Sequence, residues 1–268
     1  EVAAAAAYAG TRAIVTMKQV GLNVASDPLM SLAYIGVKGG MVVMVADDPG
    51  PISSQTEQDT RTYGMFSKLP VFDPSSVEEA YGMIQTAFEV SEKYNTPVIF
   101  HSTTRVCHAY SAIDIKDKEE YYKNEAEGFE KDSNRWVIFP RLSYANHKMI
   151  EDRLTGMGNE LGRLTYNKLT TVKIGESIGI ACGGISYAYV NEALGMMGDA
   201  IYKNTDNPGD GESASKDTGV DYNTYGIRLL KVGTPHPFPE ELSIEFLKGL
   251  DEVLVVEELD PRIERMLL

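Results

Sequence analysis

Residues 69–101 read LPVFDPSSVEEAYGMIQTAFEVSEKYNTPVIFH, and the order of their elements decides the architecture. A short apolar run, Leu69 to Phe72, is stopped by Asp73-Pro74. Ser76 stands where an N-cap is needed, with Glu79 at capping-box spacing. Val77, Ala80, Tyr81, Ile84, Phe88 and Ser91 then recur at helical spacing as far as Lys93. Thr96-Pro97 ends the helical region, because the residue before a proline is driven out of the helical conformation. Val98 to His101 is apolar again and reads as a strand. Strands alternating with helices build a parallel α/β sheet covered on both faces.

The same alternation extends in both directions. Upstream, Glu1 to Ala9 is a run of strong helix formers closed by Gly10. Ala13 to Met17 and Met41 to Ala46 read as buried strands, Gly21 to Tyr34 as a turn and helix, and Gln55 to Ser67 as a helix. Asp47 to Ser54 is a loop by composition. After about Asp114 the character changes. Lys116 to Asp132 is charged, and Ser143 to Gly162 is an amphipathic helix with interruptions. A second α/β unit follows: a strand at Ser177 to Cys182, a Gly183-Gly184 turn, a helix at Ser186 to Met197, a strand at Gly226 to Lys231, a helix at Glu240 to Gly249 and a last strand at Val253 to Glu257. Asp260-Pro261 opens a further helix. Asn204 to Tyr225, rich in Asp, Asn, Gly and Ser, reads as a long loop. The expected organisation is α/β throughout: two parallel-sheet units, residues 1–114 and 171–268, joined by a connecting region, 115–170.

Bulk properties exclude several classes. The 268 residues carry a formal charge of −14, with 25 Lys and Arg against 39 Asp and Glu, so no basic face for nucleic acid or an anionic membrane is expected. Hydrophobic residues make up 43%, which suits a folded core. Two cysteines, Cys107 and Cys182, cannot form a disulfide framework, which points to a reducing, cytoplasmic compartment. There is no apolar run of about 18 residues to span a membrane. The chain starts at Glu1 inside a helical pattern, without Met, so an internal piece of a longer polypeptide is expected.

The chemistry is expected beyond the carboxyl ends of the first unit's strands, where open parallel sheets bind ligands. Three polar loops follow those strands: Lys18 to Asn23, Asp47 to Ser54, and Ser102 to His108. They are either one converging cleft or plain polar connections. Lys18 and Arg105 are candidate anion clamps, with a solvated lysine and a structural ion pair as the alternatives. Cys107 and His108 are adjacent. If both sat on a strand they would point to opposite faces, which argues against a nucleophilic dyad. Gly183-Gly184 lacks the full dinucleotide fingerprint and reads as a plain strand–helix turn.

Several stretches taken together are more specific. Ala7-Tyr8-Ala9-Gly10-Thr11-Arg12-Ala13, Ser53-Ser54-Gln55-Thr56-Glu57-Gln58-Asp59, Val71 to Ala80, and Thr104-Arg105-Val106-Cys107-His108 resemble segments of the 2-oxoacid:ferredoxin oxidoreductases. Met17 to Leu29 (MKQVGLNVASDPL) resembles the indolepyruvate branch of that family, and Thr16 to Arg61 as a whole is the diagnostic stretch. Gly233 to Pro239 and Val256 to Pro261 resemble the transketolase-C-like domain that follows. The resemblance implies a thiamine-diphosphate pyrimidine-binding domain at 1–114 and a transketolase-C-like domain at 171–268. It implies oxidative decarboxylation of an aryl pyruvate with CoA, giving acyl-CoA, carbon dioxide and reduced ferredoxin.

Residue by residue, the resemblance offers Lys18, Gln19 and Arg105 as catalytic candidates. Gly21, Asn23, Asp47, Gln55 and Glu57 are the cofactor-binding ones. The family's ring-activating glutamate corresponds to a position upstream of Glu1. Mg2+, the diphosphate grip and [4Fe–4S] clusters are expected outside this segment. Where pyruvate enzymes carry a carboxylate-binding arginine, this chain has Asp47 or Asp48, so Lys18 or Arg105 is the expected replacement. A smaller beta/gamma-type subunit and ferredoxin are the implied partners. Three alternatives remain at this point: a different 2-oxoacid:ferredoxin oxidoreductase, a non-catalytic scaffold or docking segment of such a complex, with Asn204 to Tyr225 as a contact, and an unrelated dinucleotide-binding dehydrogenase.

Overall fold

The computed structural model of the chain describes residues 1–117, 126–170, 177–204 and 226–268. The first sheet contains β1 (Ala13–Lys18), β2 (Met41–Asp47), β3 (Val71–Phe72) and β4 (Val98–Thr103), in spatial order β1-β2-β4-β3 and parallel throughout. Helices α1 (Val2–Tyr8), α2 (Gln19–Val24), α3 (Ser26–Ile35), α4 (Arg61–Ser67) and α5 (Val77–Tyr94) accompany it. The central strands are buried on both faces. Val43, Val45 and Ile99 pack with Leu22, Leu29 and Leu32, while Val42, Val98 and Phe100 pack with Met83 and Ala87. Successive side chains of a strand point to opposite faces, so a strand covered on both sides needs an unbroken apolar run.

Ser76 caps α5 as its spacing predicts: its Oγ accepts the Glu79 N–H at 3.1 Å. The Glu79 carboxylate does not reach back to close the box. It accepts from the Ser75 N–H and O–H, both at 2.6 Å, and pairs with Lys231 of the second unit. The buried face of α5 is Met83, Ala87, Val90 and Ser91. Of the expected stripe, Ala80, Ile84 and Phe88 form only its partly buried margin. The helix expected from Gln55 starts at Arg61. Tertiary partners claim the residues before it: Thr56 O accepts from Gln19, and Thr60 donates both its N–H and its O–H to Asp47.

Past β4 come α6 (Thr104–Cys107), α7 (Ser133–Trp136) and α8 (Pro140–Gly162). Cys107 therefore lies on a helical turn, so the strand-alternation argument does not apply to it; its Sγ contacts Ser102 Oγ at 3.3 Å. α8 runs unbroken for 23 residues, with Pro140 at its start where no N–H is missed. Its Met157 and Leu161 are fully buried and join the core of the first sheet beside Phe72, Met83 and Phe100. The later half of 115–170 is thus a wall of the first unit as well as a connection.

The second sheet holds β5 (Lys168–Thr170), β6 (Ile178–Gly183), β7 (Ile227–Val232) and β8 (Glu252–Val256), in order β5-β7-β6-β8. β5 runs antiparallel to β7, so this sheet is mixed where a parallel one was expected, and it starts ahead of residue 171. Helices α9 (Ser186–Asn204), α10 (Glu240–Leu247) and α11 (Arg262–Leu267) complete the unit. Of the expected loop at Asn204 to Tyr225, residues 205–225 lie outside the described residues. No helix among the described residues is long and apolar enough to cross a membrane.

The units are joined at strand ends. The Val71 N–H donates to His236 O at 2.7 Å and the Asp73 N–H to Gly233 O at 2.8 Å, so edge strand β3 continues its pairing into the second unit. Beside this seam lies a buried charge network. His101 Nδ1 is 2.8 Å from Asp73 and Nε2 is 3.0 Å from Asp47. Burial alone would lower the His101 pKa, but Asp73 and Asp47 outweigh it and raise it to about 10, so the ring is an imidazolium at neutral pH. Arg61 reaches Asp59 at 2.7 Å, Glu257 at 3.1 Å and the Asp260 carbonyl at 3.0 Å. Its burial opposes the charge, yet Asp59, Asp73 and Glu257 raise its pKa further. Gly184, with φ +51°, lets the β6–α9 turn pass close to Asp73: a Cβ there would sit 2.9 Å from the carboxylate.

Two outcomes follow from this packing. Leu161→Ala should cost about 2–5 kcal/mol in denaturant unfolding; a loss under about 1 kcal/mol would mean α8 is a passive linker. His101→Gln should cost about 3–5 kcal/mol near neutral pH, since it leaves two buried carboxylates uncompensated. The folded pKa of about 10 lies above the free value of 6.5. The His101 contribution is therefore complete below about 6.5 and is lost as pH rises through about 10. A wild-type-minus-variant stability difference that stays flat across that window would rule out the charged imidazolium.

Candidate active site

The carboxyl ends of β1, β2 and β4 lie side by side, with Lys18 opposite Ala46 and Asp47 opposite Thr103. Gln19, the first residue of α2, is fully buried. Its Nε2 donates to Thr56 O at 2.9 Å, while its Oε1 is buried without a partner. An unmet buried acceptor costs about 1–3 kcal/mol, which a ligand N–H would relieve. Asn23 lies on the same short helix. Its Nδ2 donates to Gln58 Oε1 at 2.8 Å and its Oδ1 accepts from the Tyr63 hydroxyl at 2.8 Å. Gln19 and Asn23 thus clip the loop after β2 onto the end of β1.

That loop is fastened from within by the two aspartates that open it. Asp47 accepts from the Thr60 N–H and O–H and from His101, so both its oxygens are used inside the protein. Asp48 accepts the N–H groups of Ser53 at 2.8 Å and Ser54 at 2.9 Å and the Thr104 hydroxyl at 2.9 Å. These donors, the Ser53 N–H foremost, hold its carboxyl well below the usual carboxylate range. Glu57 Oε2 accepts from the Gly50 N–H at 3.0 Å, closing the loop on itself.

The other sequence candidates divide. Lys18 is exposed at the end of β1 and has no ion pair among the described residues. Gly21 sits on α2 against Met17, where a Cβ would approach the Met17 Cβ to 3.0 Å. Gln55 is exposed on the loop. Arg105 is turned to the second unit: Nη1 lies 3.2 Å from Glu258 and the guanidinium 5.9 Å from the Tyr189 ring centre. Burial pushes the Glu258 carboxyl up, against the opposing pull of Thr103 and Arg105. Lys18 ends β1 and Arg105 follows β4, two strand spacings or about 10 Å away, and of the two only Arg105 is engaged by a carboxylate.

The only histidine–carboxylate grouping with metal-like spacing among the described residues is Asp47, Asp59 and His101, whose ligand atoms lie within 4.8 Å. It does not suit Mg2+. Both ring nitrogens of His101 already face carboxylates, Arg61 occupies Asp59, and Mg2+ prefers oxygen ligands and water. The sequence singles out Thr56 and Gln58 only as part of the family-like stretch Ser53 to Asp59, and Tyr63 not at all, because their contacts here are tertiary. His101 was also missed: its partnership with Asp47 is set by the pairing of β2 with β4, where Val45 stands opposite His101 and Asp47, two residues on, shares its face.

A sequence profile described as "Pyruvate flavodoxin/ferredoxin oxidoreductase, thiamine diP-bdg" matches residues 1–155. The chain is 39% identical over 267 residues to indolepyruvate oxidoreductase subunit IorA of Pyrococcus abyssi, covering 98% of this chain and 37% of that protein. It is 37% identical to the subunit of the same name from Methanothermobacter thermautotrophicus, covering 100% of this chain and 39% of that one. The chain therefore spans under two-fifths of these relatives. Among solved structures, 2-oxoglutarate:ferredoxin oxidoreductase from Magnetococcus marinus superposes with a TM-score of 0.64 at 16% identity, over 95% of this chain and 47% of that one, which supports the shared fold. With the profile matched over more than half its length, this chain belongs to the thiamine-diphosphate-binding family of pyruvate flavodoxin/ferredoxin oxidoreductases.

Proposed function

We propose that the chain is part of the large subunit of a 2-oxoacid:ferredoxin oxidoreductase acting on an aryl pyruvate such as indolepyruvate. In the full reaction CoA and oxidised ferredoxin are co-substrates, and aryl-acetyl-CoA, carbon dioxide and reduced ferredoxin are the products. The observation that carries this reading is the similarity to IorA subunits along essentially the whole chain, which includes the β1–α2 segment and the loop after β2.

Thiamine diphosphate fits the carboxyl edge of the first sheet through its aminopyrimidine. Gln19 Oε1 is a buried acceptor in want of a donor, and the Asn23 amide stands on the same helix. When bound, the cofactor supplies the electron sink for decarboxylation. The protein's own part is to hold the ring and keep the loop clamped by Asp48. Mg2+ finds no fitting donor set among the described residues, and the cysteine content does not suit a [4Fe–4S] cluster. The chain has two cysteines, and Cys182 is buried with its thiol pushed up to about 12, whereas a cluster takes several thiolates. Those groups, a smaller partner subunit and the ferredoxin contact belong in this reading to other parts of the assembly.

Lys18 is the favoured group for the substrate carboxylate, because Arg105 is already paired with Glu258. In the complete enzyme, Lys18→Ala should raise KM for the aryl pyruvate about tenfold or more while leaving thiamine diphosphate affinity unchanged. An unaltered KM would remove Lys18 from the role, and a matching rise for Arg105→Ala would transfer it there. Gln19→Leu should weaken thiamine diphosphate binding by about tenfold in a tryptophan-quenching or calorimetric titration. Retained affinity would show that its buried carbonyl does not face the cofactor.

A further inference from the structure

In parallel β/α units the helices return antiparallel to the strands, so their C-termini gather at the edge of the sheet away from the site above. A cleft of about 420 Å³ lies there, between the ends of α3 and α5 and the flank of α8. Its walls include Tyr34, Tyr94, Asn95, Asn146, Arg135 and Arg153, and among the described residues no carboxylate lines it. That is unusual in a chain with 39 Asp and Glu.

Arg153 is the informative residue. It projects from α8 and makes no hydrogen bond or ion pair among the described residues, and its Nε and Nη2 are shielded from solvent without a partner. Burial draws its pKa down to about 10, with no neighbouring carboxylate to restore it, so it remains charged at neutral pH. The helix ends do not explain it. The Tyr34 carbonyl of α3 is taken by Asn146 and the Val37 carbonyl just beyond by Arg135, while the end of α5 is closed by Asn95. Glu160, two turns further along α8, is held by Lys93 and Tyr94. Arg135 likewise has no carboxylate partner among the described residues; it stacks over Trp136 at 4.4 Å.

A buried guanidinium left unpaired is costly, and an oxyanion is the group its planar fork matches. The geometry points to an anion-binding site in this cleft, formed by Arg153 and Arg135 with amide donors around them, that takes a small phosphate- or carboxylate-bearing molecule. The volume suits a ligand of modest size, and the two tyrosines offer it an aromatic wall. The site lies at the opposite edge of the sheet from Gln19 and Lys18 and does not depend on their assignment.

The test uses the full-length polypeptide with its partner subunit, saturated with thiamine diphosphate and Mg2+ so that the cofactor site does not respond. Inorganic phosphate is titrated against sodium chloride of equal ionic strength, and thermal unfolding is followed. Phosphate should raise the unfolding midpoint of the wild type. Arg153→Gln should weaken the apparent phosphate affinity about tenfold or more, while Arg163→Gln, an exposed control on the same stretch of chain, should leave it unchanged. Without phosphate, Arg153→Gln should be no less stable than the wild type, because it deletes an unpaired buried charge. No phosphate response in the wild type, or an equal response in Arg153→Gln, overturns the site. So does marked destabilisation of Arg153→Gln without phosphate, which would mean that a carboxylate of the longer polypeptide already occupies the guanidinium.

Discussion

A histidine buried between two carboxylates is the constraint from which the rest of this structure is organised. His101 stands on β4, Asp47 at the end of β2 and Asp73 just past β3, so one imidazolium ties the carboxyl ends of three strands. Charges removed from water must be matched in place, because each unmatched one costs several kcal/mol. The match here is three-dimensional. Asp73 also donates its N–H to Gly233 and crowds Gly184, and Arg61 extends the network through Asp59 to Glu257. The seam between the units is therefore specified by charge and hydrogen bonding as well as by apolar packing.

The functional edge inherits its shape from that network. Asp47 and Asp48 are consecutive but serve different ends. One faces inward and anchors Thr60, which sets where α4 begins. The other faces the loop and gathers the N–H groups of Ser53 and Ser54. A loop held by its own backbone donors is preorganised, and preorganisation is what lets a site bind a cofactor without losing affinity to ordering. Gln19 and Asn23 then attach the loop to β1, leaving one buried carbonyl oxygen unmet. Thr103 Oγ1 at the end of β4 is likewise buried without a hydrogen-bond partner.

α8 shows how a segment can be read correctly in kind and incompletely in role. Its amphipathic character is plain from residues 143–162, but its buried residues serve two neighbours. Met157 and Leu161 fill the core of the first sheet, while α8 also contacts α10 of the second unit. Periodicity reveals that a helix has an inner face; it carries no information on which body that face is buried against.

The sequence by itself determined the alternation of strands and helices, the Ser76 cap, the two-sided burial of β2 and β4 and, through Met17 to Leu29 and Ser53 to Asp59, the family. These are local properties: propensity, spacing and contiguous motifs act over a few residues at a time. Only the tertiary structure decided that β5 runs antiparallel, that Gln55 to Thr60 stays out of the helix, that Arg105 pairs with Glu258 and that Asp47 points inward to His101. Each of those outcomes depends on partners tens of residues or more away in the chain. A carboxylate or guanidinium has the same local signature whether it meets water, a ligand or a buried opposite charge. The family motifs pointed to the carboxyl edge of the first sheet, and the fold alone decided which of its charged groups are spent on holding that edge together and which, like Lys18, stay exposed.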